Sequence, residues 1–436
     1  MASPQALPLR DRLPALAGKT YFNYGGQGPL PSPSLDAIVA AWRTIQEQGP
    51  FSSAVGPFLS ATVSGLRQRL ASEAWLGVPP QRLSFTENVT SGCLLPLWGL
   101  PWQQGDELLI SDAEHPGVLA GLQELAQREG LHCRSLPVRE LRGDPSATEA
   151  ASIAATEAAV LEALERALSP RTRLVALSHL LWNTGQLMPI SAVAARLAEH
   201  PARPWLLVDA AQSLGSIPVA EAAAASDLYA CTGHKWCCGP EGLGVVALSD
   251  RLLQEARPTM IGWRSLADED HIGSGAPRFH ADGRRFEVAT SCTPLFAGLA
   301  RSLELLEAEG SAEERLQRIR ASSRALWEGL QAIPGVKPLL AVPPPAGLVS
   351  FTAGSASVSP SSVSSGMSGG SGVSSSLSGG ASESLAPEAL VRSLGERGIW
   401  LRSLPDPSCL RACTHLTTTP ADLAILLAAL RELLAA

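Results

Sequence analysis

Lysine is nearly absent from this chain. Of its 34 basic residues only Lys19, Lys235 and Lys337 are lysines, so arginine serves wherever a plain positive charge is needed. Runs of basic residues interleaved with aromatics are also missing, and a net charge of −7 with a pI near 5.7 excludes nucleic acid as a partner. No run of 18 apolar residues occurs, and the first 20 residues carry Arg10, Asp11, Arg12 and several prolines in place of an apolar signal core. These absences imply a soluble, cytoplasmic protein without a membrane partner. The eight cysteines (93, 133, 231, 237, 238, 292, 409, 413) form no compact framework, and no CxxC recurs at zinc-finger spacing. Most read as small buried hydrophobes, and no metal centre is expected.

What is present is ample apolar material, 45% of 436 residues, enough for two or three domains with a developed core. Apolar residues at spacings of three and four predict helices over Leu35 to Gln48 and Phe58 to Leu76. Short apolar runs predict strands at Leu83 to Phe85, Glu107 to Asp112, Arg173 to Ser178, Trp205 to Asp209, Tyr229 to Cys231 and Gly244 to Leu248. Helices fall between several of them, over Val118 to Arg128 and Ser191 to His200. Ser146 and Glu149 read as a capping box for a helix running to Leu168. Thr86 to Gly92 reads as a polar loop before the apolar Cys93 to Leu100, and such a loop offers amide donors to a phosphate. Strands alternating with helices predict a mostly parallel α/β sheet with helices on both faces.

Beyond Pro294 the pattern changes. A long helical region, Phe296 to Leu330, precedes a strand at Gly347 to Thr352, a serine- and glycine-rich stretch expected to be a flexible loop over 354–384, and a helix at Pro387 to Arg397. Three units are therefore expected: an N-terminal segment (1–25), a large α/β domain (26–294) and a small α+β C-terminal domain (295–436).

The chemistry gathers around Lys235, in Thr232-Gly-His-Lys-Trp-Cys-Cys-Gly-Pro-Glu-Gly-Leu-Gly244. A lysine can shed its proton and attack a carbonyl, whereas an arginine cannot, and apolar Trp236, Cys237 and Cys238 depress an amine pKa. Glycines 233, 239, 242 and 244 are expected to turn the backbone sharply there. His115 follows the strand Glu107 to Asp112, where open α/β sheets place ligands. Asp209 ends another strand, with Gln212 three residues on. A carboxylate at the sheet mouth together with a Schiff-base lysine points to pyridoxal phosphate, whose ring nitrogen the acid keeps protonated.

The ordered set Asn88-Val-Thr90, Glu114-His-Pro-Gly117, Ser178-His179, Asp209-Ala-Ala-Gln212 and Thr232-Gly-His-Lys235 resembles the class V aminotransferase branch of fold type I pyridoxal phosphate enzymes. Longer strings resemble the cyanobacterial cystine C-S lyase type: Phe22-Asn-Tyr-Gly-Gly-Gln-Gly28, Ser178-His-Leu-Leu-Trp-Asn-Thr-Gly185, Gly262-Trp-Arg-Ser265 and Arg285-Phe-Glu-Val-Ala-Thr290. The resemblance implies a seven-stranded sheet and a homodimer with interfacial sites. It assigns Lys235 to the Schiff base and the α-proton, His115 to stacking on the ring, Asp209 to the ring nitrogen and Gln212 to the phenolic oxygen. Thr90, Thr232 and His234 would hold the phosphate, and Thr290 would reach the partner's phosphate. Arg411 would take the substrate α-carboxylate, with Arg402, Gly26 and Trp263 as further substrate contacts.

Two departures bear on activity. Trp182 stands where desulfurases of this branch carry asparagine, and Pro407 stands where their nucleophilic cysteine falls, with Cys409 offset by two. Without a thiolate to take up sulfur, β-elimination of L-cystine to pyruvate, ammonia and cysteine persulfide is expected, the persulfide passing to a sulfur-acceptor protein, for example for iron–sulfur clusters. The rivals are a cysteine desulfurase using Cys409 and a cofactor-free interaction protein, which would show no visible absorbance removable by borohydride.

Overall fold

The computed structural model describes residues 8–268, 275–354 and 386–435. The serine- and glycine-rich stretch lies outside them apart from Gly354. A short N-terminal strand, β1 (Thr20–Tyr21), precedes the main sheet. That sheet is built from β2 (Leu83–Thr86), β3 (Glu107–Ser111), β4 (His132–Leu136), β5 (Thr172–Ser178), β6 (Trp205–Asp209), β7 (Leu228–Thr232) and β8 (Gly244–Leu248). Its spatial order is β2-β8-β7-β6-β5-β3-β4, with β8 antiparallel to both neighbours and every other pair parallel.

Strand alternation divides the apolar side chains between two cores. Leu109, Val175, Val208 and Cys231 face one side, where Leu66 and Leu70, Leu164, Val193 and Phe296 pack on them from helices. Leu108, Ala176, Leu207 and Ala230 face the other, under Cys93, Val118, Leu122 and Leu125. The edge strand β4, mostly exposed, escaped the sequence reading because it lacks the apolar run that marks its buried neighbours.

Four local expectations change. A helix starts at Val89, inside the stretch read as a loop, because Asn88 caps it by accepting a hydrogen bond from Ser91 N. The helix from Val55 ends at Ala71 and does not reach Leu76. Thr148, not Ser146, caps Glu149–Ala167; Ser146 instead donates to Asp144, and Glu149 pairs with Arg320 and Arg324. The region Phe296 to Leu330 is two helices, Thr293–Glu307 and Ala312–Gln331, separated at Gly310 (φ 116°) and restarted by a capping box between Ser311 and Glu314.

The first of those two helices, assigned by sequence to the C-terminal unit, buries Phe296, Leu299 and Leu303 in the large-sheet core. Beyond it come β9 (Val336–Pro338), β10 (Leu348–Ala353), β11 (Ile399–Trp400), β12 (Arg402–Pro405) and β13 (Ser408–Cys413). Four of them make an antiparallel sheet in the order β12-β13-β10-β9, while β11 pairs in parallel with β1. A third core joins this sheet to the helices Ala312–Gln331, Pro387–Glu396 and Pro420–Ala435, and it takes in Phe22 from the N-terminal segment. Among the described residues no helix is long and apolar enough to cross a membrane, and no cluster of three or more histidines, cysteines and carboxylates could hold a metal ion.

Candidate active site

The C-terminal ends of β3, β5, β6 and β7 converge on one mouth of the sheet, as a parallel α/β arrangement requires. Lys235 sits three residues beyond β7. Burial pulls its pKa down to about 8; Asp209 opposes this, while Arg411 and Arg402 add to it. Gly28 N donates to His234 O (2.8 Å), and a Cβ on Gly28 would fall 2.0 Å from the Lys235 carbonyl oxygen. Only glycine permits that approach. Of the four glycines expected to turn the chain here, Gly242 alone has a positive φ; Cys238 takes another left-handed position at φ 51°.

Asp209 closes β6. One of its oxygens accepts from Ala211 N at 2.9 Å, and the other accepts from no described residue. Burial raises its pKa, while Lys235 and His115 draw it down. His115 caps the helix Pro116–Glu129 by accepting from Gly117 N through Nδ1 (3.2 Å), so a neutral ring carries its proton on Nε2. Burial lowers its pKa, and its ring meets Trp182 edge-on at 5.5 Å.

Thr232 Oγ1 and His234 Nδ1 lie 2.6 Å apart. Thr90 lies in the first turn of Val89–Leu94, and a Cβ built on Gly117 would be 3.5 Å from its Oγ1 and 3.4 Å from His115 Nδ1. Gln212, 3% exposed, donates to Gly25 O and accepts from Trp236 Nε1, both at 2.9 Å. The next residue on the Gly25 loop, Gly26, donates its N–H to Asn23 O.

On the facing side, Arg402 and Arg411 are direct cross-strand partners in the β12–β13 hairpin, so both guanidinium groups leave the same face. The register thus pairs the two arginines that the resemblance names as substrate contacts. Arg411 is 1% exposed and donates through NH1 to Trp182 O (2.7 Å), yet its Nε and NH2 have no partner. A buried guanidinium with open donors is costly, about 3–5 kcal/mol when a buried ion loses its partner, and such a fork suits a carboxylate. Arg402 is exposed and hydrogen-bonds no described residue.

Trp263 and Thr290 stand apart from this cluster. Trp263 is 46% exposed, Thr290 is exposed, and their segments lie together, since Arg264 N donates to Val288 O. No hydrogen bond or ring contact joins either residue to the residues around Lys235.

Two further residues belong to the network around the site without announcing it in the sequence. Glu114, quoted only within a motif, is a buried carboxyl that accepts from Ser111 Oγ (2.6 Å), Ser178 N (2.7 Å) and Ser178 Oγ (2.8 Å), so it ties β3 to β5 directly behind Asp209. Burial and then Asp209 push its pKa up to about 7. Trp236 was read as apolar surroundings, but its indole N–H donates to Gln212 Oε1 across 24 residues, a pairing that no local pattern announces.

A depressed lysine and a buried carboxylate at the mouth of a parallel sheet, opposite an arginine pair, define an α/β enzyme that works through an amine. The chain belongs to the class-V aminotransferase family, whose family model matches residues 59–373. Among solved structures, a complex of the cystine C-S lyase C-DES with its reaction product cysteine persulfide is 41% identical with a TM-score of 0.82, covering 96% of this chain and 99% of that one. A C-DES lysine mutant with glycine covalently linked to its pyridoxal phosphate cofactor is 40% identical with a TM-score of 0.83, covering 98% and 100%. The isopenicillin N epimerase of Amycolatopsis lactamdurans is 30% identical over 73% of this chain and 78% of its own length. A probable cysteine desulfurase of Pseudomonas aeruginosa is 30% identical over 79% and 82%.

Proposed function

We propose that this chain is a pyridoxal phosphate dependent C–S lyase that converts L-cystine and water to pyruvate, ammonia and cysteine persulfide. The observation that carries the reading is the β12–β13 hairpin. It turns on Asp406 and Pro407 alone, with Pro405 opposite Ser408, and it presents two arginines and no exposed thiol. Cys409 is 0% exposed, and burial pushes its thiol up to about 11. A thiolate nucleophile needs exposure and a lowered pKa. The tip is fixed to the large domain by Arg139, which pairs with Asp406 at 2.9 Å.

The residues fit the cofactor: a carboxylate oxygen without a donor, an amine with a depressed pKa and a buried amide converge at one sheet mouth. When bound, pyridoxal phosphate supplies a conjugated ring that accepts the electrons released at the amino acid's α-carbon. Lys235 Nζ would hold the cofactor's carbonyl carbon and take the α-proton. Asp209 would hold the proton on the ring nitrogen, Gln212 would donate to the phenolic oxygen, and His115 would cover a ring face. Thr90, Thr232 and His234 would take the phosphate. Arg411 would receive the α-carboxylate of cystine through its two open donors, and Arg402 would read the carboxylate of the distal half, with Gly26 beside them. Loss of the α-proton with departure of sulfur and its bonding pair from Cβ would leave 2-aminoacrylate, which water hydrolyses to pyruvate and ammonia, while the sulfur departs as cysteine persulfide.

The reading includes a homodimer in which Thr290 and Trp263 serve the partner's site. In support, Leu35, Val39 and Trp42 recur at i, i+4 and i+7 and are 46–50% exposed, and Met260, Ile261 and Trp263 are 46–56% exposed. In this reading the enzyme is cytoplasmic and the persulfide passes to an acceptor protein, for example in iron–sulfur cluster assembly.

The test is to incubate the purified holoenzyme with cystine and to quantify keto acid, alanine and persulfide. Pyruvate and persulfide in equal amounts are expected. Alanine in their place would assign a desulfurase, and inversion at the α-carbon without cleavage would assign an epimerase.

A further inference from the structure

Trp236 follows Lys235 directly, and nothing in the reaction described above uses it. It is 0% exposed. A Cβ built on Gly347, at the entry to β10, would lie 2.7 Å from two of its ring carbons, Tyr24 stacks on it at 6.4 Å, and its carbonyl oxygen lies 3.2 Å from His415 Nε2. Burial lowers the His415 pKa to about 4, so that ring is neutral, and its Nε2 donates to the Trp236 carbonyl. The indole therefore has one position, and in it Nε1 donates to Gln212 Oε1 at 2.9 Å.

An indole nitrogen can only donate and a peptide carbonyl can only accept. Gln212 lies between one of each, with Oε1 on Trp236 and Nε2 on the Gly25 carbonyl at 2.9 Å. A flipped amide would set N–H against N–H and oxygen against oxygen in a site excluded from water, two unsatisfied pairs at once. The second Nε2 hydrogen meets no acceptor among the described residues.

We infer that Trp236 is a positioning residue: with the Gly25 carbonyl it locks the Gln212 amide so that the group offered to the cofactor's phenolic oxygen is always a donor. This rests on the reading of Gln212 given above. Because Trp236 is the residue after Lys235, the donor to the phenolic oxygen and the attacking amine are set by one backbone segment. A donor at that oxygen stabilises its anion and weakens its hold on the neighbouring proton at the lysine nitrogen, so the visible band of the holoenzyme titrates at lower pH than it would without the lock.

The experiment titrates that band in holoenzymes. Gln212→Glu removes the donor outright and is expected to raise the midpoint by about one pH unit, the size of one charge-assisted hydrogen bond. Trp236→Phe keeps the ring and deletes the N–H; it is expected to raise the midpoint in the same direction by half of that or more, and to add nothing in the Gln212→Glu background. If Trp236→Phe does not fold, benzothienylalanine at 236 keeps the shape of the indole with sulfur in place of N–H. A midpoint that moves in Gln212→Glu but stays put when the indole N–H is removed overturns the lock. A midpoint that stays put in Gln212→Glu overturns the assignment of Gln212 to the cofactor instead.

Discussion

The mouth of the large sheet and the β12–β13 hairpin face one another, but they are built on opposite principles. At the sheet mouth most polar groups are held by neighbours, the second oxygen of Asp209 excepted: Glu114 by two serines, Gln212 between Trp236 and Gly25, Thr232 against His234. On the hairpin, Arg411 keeps two donors open in the interior and Arg402 stands in solvent. A pre-set surface suits a resident group of constant shape, and open donors suit a substrate that arrives and leaves. Specificity should therefore respond to the hairpin, and chemistry to the sheet mouth.

The sharpest way to break that division is Lys235→Ala. Steady-state pyruvate release should fall by about 10²- to 10⁴-fold or more, because both the attaching amine and the base are gone; near-normal turnover would remove the sheet mouth from the chemistry. Arg411→Ala should lower kcat/KM on cystine and on cysteine alike, by about 2–5 kcal/mol for a buried charged partner. An effect on kcat alone, with substrate binding intact, would blur the division. The lysine also predicts a pH dependence. Its pKa lies near 8 rather than at the ordinary 10.5, and only the neutral amine attacks a carbonyl. Capture of cofactor by the apoprotein should therefore slow about tenfold per unit below pH 8 and level off above it, as read by stopped-flow absorbance. A midpoint near 10 would mean that burial does not tune this amine.

Smaller effects probe the hairpin. Arg402→Ala should fall mainly on cystine, narrowing its advantage over cysteine severalfold, since an exposed ion pair contributes about 0.2–1 kcal/mol; equal losses on both substrates would show that Arg402 does not read the distal carboxylate. Cys409→Ser should leave pyruvate formation unchanged, because the thiol is buried and elimination needs none. Loss of activity in a folded, cofactor-loaded variant would return the chemistry to a thiolate.

The large sheet was legible because its strands are buried on both faces and so appear as unbroken apolar runs; Trp205–Asp209 and Gly244–Leu248 match their expected limits. The exposed β4 and the break at Gly310 were not, since neither carries a period that stands out from its surroundings. The Asn88 cap shows the same limit from another side. Val89 to Gly92 are small or polar and resemble a loop, but one side-chain oxygen and the packing of Cys93 suffice to make a helix. At the site, single residues announced themselves by type, Lys235 by rarity and Asp209 by its place at a strand end. Relations were less visible: spacing along one hairpin could bring Arg402 and Arg411 to one cleft but not set their register, and the amide held between Trp236 and Gly25 exists only once distant segments meet.

The N-terminal segment carries a mechanical consequence. Thr20 pairs with Ile399, the Phe22 carbonyl accepts from Cys413 N at 2.7 Å, and Gly28 is bonded to the residue before the lysine. Six residues thus tie the arginine hairpin's sheet to the peptide that carries Lys235. At about 3.3–3.6 Å per residue such a leash reaches ~20 Å when taut, and Tyr24, stacked 4.3 Å from His415, takes up much of its slack. With Gly25 held by Gln212 and His415 by the Trp236 carbonyl, a displacement of the hairpin's sheet would pull on the backbone on either side of Lys235.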